Sequence, residues 1–147
     1  MKTKHILIAL LGLMLPICAM AQGQQPMTPE EEEKKLLEGI ERLVVKYEED
    51  LKLEPWQTFY LDSILTHNYK AMSTESKVLS ENRVENVDLY QRVADKWEEQ
   101  TYIAVQRVLT PEQWTRYLKS GPGREKKARD KRAAKALAAS EKANKQK

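Results

Sequence analysis

Cysteine occurs once, at Cys18, inside an apolar leader. The rest of the chain therefore has no thiol to form a disulfide, hold a soft metal or act as a nucleophile. Glycine is almost as scarce: Gly12, Gly23, Gly39, Gly121 and Gly123 are all there is in 147 residues. An all-β sandwich or barrel needs many tight turns and is excluded, whereas long stretches free of Gly and Pro suit helices. Histidine is limited to His5 and His67. No GxSxG, HExxH or glycine-rich phosphate loop is present, so the common nucleophilic, zinc-hydrolytic and nucleotide-binding schemes have no starting point. The chain reads as a non-enzyme that needs no cofactor.

What is present begins with an export signal. Lys2 and Lys4 form a positive start, Ile6 to Ile17 an apolar run too short to span a bilayer, and Ala19-Met20-Ala21 a small-residue cleavage site. Cleavage after Ala21 leaves Gln22 at the new N-terminus of an exported chain. Lipid anchoring through Cys18 is the competing reading, but Ile17 stands where a small residue is wanted. Charge is segregated. From Arg124 onward ten Lys and Arg face three acidic residues, a surplus of +7, whereas residues 22–120 carry −6. The expected organisation is a signal peptide over 1–21, a polar lead-in over 22–28, a helical domain over 29–120, and a basic tail over 121–147. Alanine-rich, with Leu137 as its one large apolar side chain, the tail is expected to be disordered or a fraying helix.

Helical periodicity fills the domain. Thr28-Pro29-Glu30-Glu31 is a capped, proline-led start for a helix to about Asp50, with Leu36, Leu37, Ile40, Leu43, Val44, Tyr47 and Leu51 on one stripe. Glu54-Pro55-Trp56-Gln57 opens a second helix to about Lys77. A third runs to Val108 through Val87, Tyr90, Ala94, Trp97, Thr101 and Ala104, with Asp88 and Gln91 as its expected cap. Thr110-Pro111-Glu112-Gln113 opens a short fourth, ended by Gly121-Pro122-Gly123. The fold class is thus all-α, with about four helices. Leu53-x-Pro55-x-Gln57 and Leu109-x-Pro111-x-Gln113 have the same form, and a Tyr-Leu pair follows each (Tyr60-Leu61, Tyr117-Leu118).

Leu109-Thr110-Pro111-Glu112-Gln113 matches the LTxxQ motif of the Spy/CpxP-like periplasmic proteins. Leu53-Glu54-Pro55-Trp56-Gln57 resembles the family's other copy, with Glu54 in place of Thr. The resemblance runs from about Pro29 to Lys119. It implies an elongated, bent antiparallel helical hairpin that pairs into a curved homodimer. It also implies a role as an ATP-independent chaperone, as an inhibitor of an envelope-stress sensor, or as a metal-responsive sensor.

Candidate site residues follow from both lines. The motif residues Leu53, Pro55, Gln57, Leu109, Thr110, Pro111 and Gln113 cap helices. Trp56, Phe59, Tyr60, Tyr90, Trp97, Trp114 and Tyr117 are candidates for a client or dimer surface, because a thin helical protein has little interior in which to hide rings. The same rings also suit a core. His67 is the weak metal candidate: a zinc site wants three or four ligands in reach, and a partly buried helical position is the plainer reading. Asp62, Asp95, Glu98 and Glu99 read as solvated helix faces. The partners expected are unfolded proteins or one specific envelope protein such as a sensor kinase, and not nucleic acid. The basic tail suits solubility, anionic lipid head groups, or the acidic first helix of the same or a sister subunit.

Overall fold

The computed structural model describes residues 27–145. The expected signal peptide, Cys18 and most of the polar lead-in lie outside them. The protein is all-α: five helices, with no strand among the described residues. None of these helices is long and apolar enough to cross a membrane.

Helix α1 (Pro29–Leu51) starts on a closed capping box. Thr28 Oγ1 accepts from the Glu31 amide at 3.2 Å, and Glu31 Oε2 accepts from the Thr28 amide at 2.8 Å. The helix stops at Lys52, whose left-handed backbone (φ 54°) ends the i→i−4 ladder. Its inner stripe buries Ile40, Val44, Tyr47 and Leu51. Helix α2 (Pro55–Glu81) runs one turn past the predicted end at Lys77. Helix α3 spans Val87–Val108, but its cap is Asn86, not Asp88: the Asn86 side chain accepts from the Asp88 amide at 2.9 Å. Either residue type can cap; the one a position outside the first turn has the geometry to reach inward. Helix α4 (Pro111–Lys119) starts as predicted, with Thr110 and Gln113 closing the box.

Helices α2 and α3 form the long antiparallel pair. Asn68 Nδ2 donates to Thr101 Oγ1 at 3.0 Å in its interior, and Lys96 pairs with Glu75 at 2.6 Å at its edge. Helix α1 folds back along α2 as far as its middle, where Lys70 reaches Glu33 at 2.7 Å. A single core joins the helices: Ile40, Val44, Tyr47 and Leu51 of α1, Leu61 and Leu65 of α2, Val105 of α3, Leu109, and Tyr117 of α4. Each of the aliphatic side chains contributes ~1.5–3 kcal/mol by leaving water.

The tail is where the sequence misled. It is neither disordered nor fraying at its root but a fifth helix, α5 (Pro122–Lys145). Gly121, at φ 140°, supplies the turn, and α5 then runs antiparallel to α3. Gly123 lies so close to α4 that a Cβ there would meet the Leu118 carbonyl oxygen at 2.9 Å. What holds α5 is charge. Arg129 is buried, 7% exposed, and its guanidinium reaches Glu98 at 3.1 Å and Glu99 at 3.3 Å. Arg132 Nε donates to Asp95 at 2.8 Å, and Lys126 lies 3.4 Å from Glu99. Asp95, Glu98 and Glu99 are therefore docking groups and not merely solvated faces. Beyond Arg132 every described residue of α5 is exposed.

Candidate functional site

The two look-alike motifs, 56 residues apart, meet face to face. Gln57 is 2% exposed. Its Oε1 accepts from its own cap amide at Glu54 (3.0 Å) and from Gln113 Nε2 (3.0 Å), while its Nε2 donates to Gln113 Oε1 (2.7 Å) and to the Val108 carbonyl (3.0 Å). Gln113 repeats the pattern. Its Oε1 accepts from the Thr110 amide at 3.0 Å, and its Nε2 donates to the Lys52 carbonyl at 3.3 Å. Lys52 and Val108 are each the residue before the motif leucine. The result is a local pseudo-two-fold clasp: each amide starts its own helix, grips the other amide, and satisfies the carbonyl that ends the helix before the opposite motif. Leu109 is buried in the core and Leu53 half-buried against it, while Pro55, Thr110 and Pro111 stay on the surface.

The clasp decides which way the start of α2 faces. Gln57, Leu61, Leu65 and Asn68 recur every three or four residues and point inward. Trp56, Phe59 and Tyr60 therefore point out, with exposures of 52%, 67% and 54%. Tyr60 meets the other two edge to face: Trp56–Tyr60 centroids are 6.2 Å apart at 76°, and Phe59–Tyr60 centroids 5.8 Å apart at 79°. Burying such rings is worth several kcal/mol, so three rings left this exposed, joined through Tyr60, form an apolar patch on the surface. Exposed Glu54 and Asp62 flank it in sequence.

The other aromatic candidates are used inside. Tyr117 is buried and Trp114 half-buried; they stack at 5.4 Å and 21°. Tyr117 meets Tyr47 of α1 at 5.1 Å, and Trp114 meets Tyr102 of α3 at 4.8 Å. The guanidinium of Arg129 sits 5.8 Å over Tyr102 and Lys126 Nζ 5.7 Å, so cation–π attraction ties this ladder to α5. Tyr90 is half-buried and donates its hydroxyl to the Val84 carbonyl at 3.0 Å, closing the α2–α3 turn. Trp97 is half-buried, with Lys96 Nζ 4.8 Å over its ring. Tyr90, Trp97, Trp114 and Tyr117 thus fall away from the surface set. His67, read as partly buried, is exposed, its ring edge-on to Trp97 at 6.2 Å. Among the described residues no three His, Cys, Asp or Glu side chains are grouped to hold a metal.

Burial pushes the phenols of Tyr117, Tyr47 and Tyr69 (a half-buried residue of α2 packed against the core) above the usual value of 10, Tyr117 furthest. A raised folded pKa means that stability is whole below pH 10 and falls as pH climbs through the folded values, since only the unfolded chain releases those protons readily. Absorbance titration near 295 nm should show these three tyrosines ionising late and together with unfolding. Six phenols titrating as one group at the ordinary value would contradict the burial of these three.

Sequence reasoning did not see the reciprocity of Gln57 and Gln113, the inclusion of Tyr47 and Tyr102 in the ladder, or Arg129 as a buried cation. The repeated Leu-x-Pro-x-Gln form was the one available signal for the first. Comparison with known protein families, with curated proteins and with solved structures finds no match to this chain.

Proposed function

We propose that the protein is an exported, ATP-independent chaperone of the Spy/CpxP-like kind, acting in the periplasm on unfolded or damaged proteins. The observation that carries this reading is the exposed trio Trp56, Phe59 and Tyr60, held outward because Gln57 and Leu61 of the same turns are locked inward. Rings offer broad, rigid contact without a fixed hydrogen-bond code, so they hold varied apolar segments loosely. Exposed acidic neighbours keep the complex soluble. No nucleotide is needed, because capture and release follow from weak contacts. Two proline-led, glutamine-clasped helix starts also fit the paired motifs of that family, and Glu54 in place of Thr leaves the Gln57 cap bond intact.

The test is light scattering from an aggregating client. The protein in several-fold excess should suppress the signal, and Trp56→Ser/Phe59→Ser/Tyr60→Ser should lose most of that suppression while its melting temperature stays the same or rises. No suppression by the native chain removes the proposal. The compactness of the trio also suits a second reading, a docking module for one envelope partner such as a sensor kinase, since tight interfaces centre on a few clustered aromatic anchors. A pull-down returning one stoichiometric protein that is lost with the triple substitution favours that reading.

A further inference from the structure

Helix α5 sorts its cations by side. Lys126, Arg129 and Arg132, at three-residue steps, face α3 and are neutralised by Glu99, Glu98 and Asp95. Arg124, Lys127, Lys131, Lys135, Lys142 and Lys145 fall on the opposite side, within an arc of roughly 80° at ~100° per residue, and stretch ~31 Å along the axis. No acidic residue of α5 shares that arc. Among the described residues Lys127, Lys131, Lys135, Lys142 and Lys145 are in none of the ion pairs, and Arg124 makes one loose contact with its neighbour Glu125 at 3.5 Å.

Helix α1 carries the counterpart. Its buried stripe is Ile40, Val44, Tyr47 and Leu51. Away from it, Glu30, Glu31, Glu38, Glu41, Glu48 and Glu49 occupy an arc of about 100° over ~28 Å. They too are in none of the ion pairs, whereas Glu33 and Asp50, outside the arc, are paired with Lys70 and Lys46. Lys34 is the one cation within the acidic arc. Exposed Leu37 and Val45 lie along it, and a shallow groove of about 390 Å³ runs beside Glu30, Lys34, Leu37, Glu38 and Glu41. Two straight stripes of opposite sign, equal in number and nearly equal in length, thus sit on one chain, and the fold does not pair them with each other.

We propose that these stripes pair between molecules: the acidic face of α1 in one copy docks on the basic outer face of α5 in a second. The contact also removes Leu37 and Val45 of one copy, and Ala134 and Ala138 of the other, from water. Because it is built from surface charges, it is weak and sensitive to salt, screening being nearly complete beyond ~10 Å at about 0.1 M.

Sedimentation velocity on the purified protein should show concentration-dependent association at low salt that vanishes at about 0.5 M NaCl. Lys127→Glu/Lys131→Glu/Lys135→Glu and Glu38→Lys/Glu41→Lys/Glu48→Lys should each weaken association by about tenfold or more, by setting like charges opposite one another. Circular dichroism should be unchanged, since none of the six side chains makes an internal ion pair. Combining both triples in one chain restores complementarity without changing net charge, and association should return. Single triples that associate like the parent, or a combined variant that stays apart, overturn the proposal. A parent chain that is monomeric at low salt overturns it too. If that monomer co-sediments with phosphatidylglycerol vesicles, the basic stripe is assigned to a bilayer instead.

Discussion

Gln57→Leu should cost about 3 kcal/mol of folding stability and lower the melting temperature by roughly 10 °C or more. The substitution keeps most of the side-chain volume, so packing is not the cause. It leaves the Val108 carbonyl and the Glu54 amide without their side-chain partner, and it strips one member from the reciprocal pair that Gln113 needs on both its oxygen and its nitrogen. A polar group stranded in the interior costs the desolvation it no longer recovers. Gln113→Leu should behave alike, slightly milder because Gln113 is less buried. The distinguishing measurement is the double-substitution cycle. With both amides gone neither strands the other, so the combined loss should fall short of the sum of the singles by more than ~1 kcal/mol. Singles that cost under ~0.5 kcal/mol each and simply add would show the clasp to be decorative.

Arg129→Ala should release α5. The side chain joins Glu98, Glu99 and the face of Tyr102, and nothing else in α5 is as buried. Breaking a fully buried ion pair costs ~3–5 kcal/mol. Here about 2 kcal/mol is expected, because Glu98 and Glu99 keep access to water and are not stranded. The clearer readout is local: loss of helical signal and rapid tryptic cleavage between Arg124 and Lys135, with the remaining helices intact. Arg129→Lys should recover only part, since an ammonium cannot fork across two carboxylates. Unchanged proteolysis would refute the docking role. Acid should act in the same direction. Arg132, hydrogen-bonded to Asp95, holds that carboxyl below its usual 3.8. A depressed folded pKa gives stability that is present above the unfolded value and lost as pH falls through the folded one. The α3–α5 contact should therefore hold at neutral pH and loosen below about pH 4.

What was legible in the sequence was whatever the chain decides locally. Thr28-Pro29, Pro55 and Thr110-Pro111 mark helix starts because capping is settled within four residues, and the apolar stripe of α1 is settled by its period. The cap of α3 fell on Asn86 instead of Asp88 because two competent side chains stood two positions apart and only the turn geometry chose. Long-range pairings were not legible. That Gln57 and Gln113 touch depends on where α3 ends in space, a property of the whole hairpin. Helix α5 reads as a loose tail because it has no apolar face, and apolar faces are what periodicity detects. Its attachment uses charges at 126, 129 and 132 against 95, 98 and 99, a spacing that is readable only once the partner helix is known. Composition could not separate the outward rings at 56, 59 and 60 from the inward ladder of 47, 102, 114 and 117; that division follows from which side of each turn the clasp holds.

The turn between α4 and α5 has a consequence for how the whole molecule carries its charge. Gly123 rests on the Leu118 carbonyl with no room for a single carbon. The aim of a highly positive rod thus depends on a missing methyl group as well as on the three cations that seat it against α3. Adding that methyl would lever the rod off its seat, pull Arg129 and Arg132 from their carboxylates on α3, and leave the molecule with a loose cationic arm.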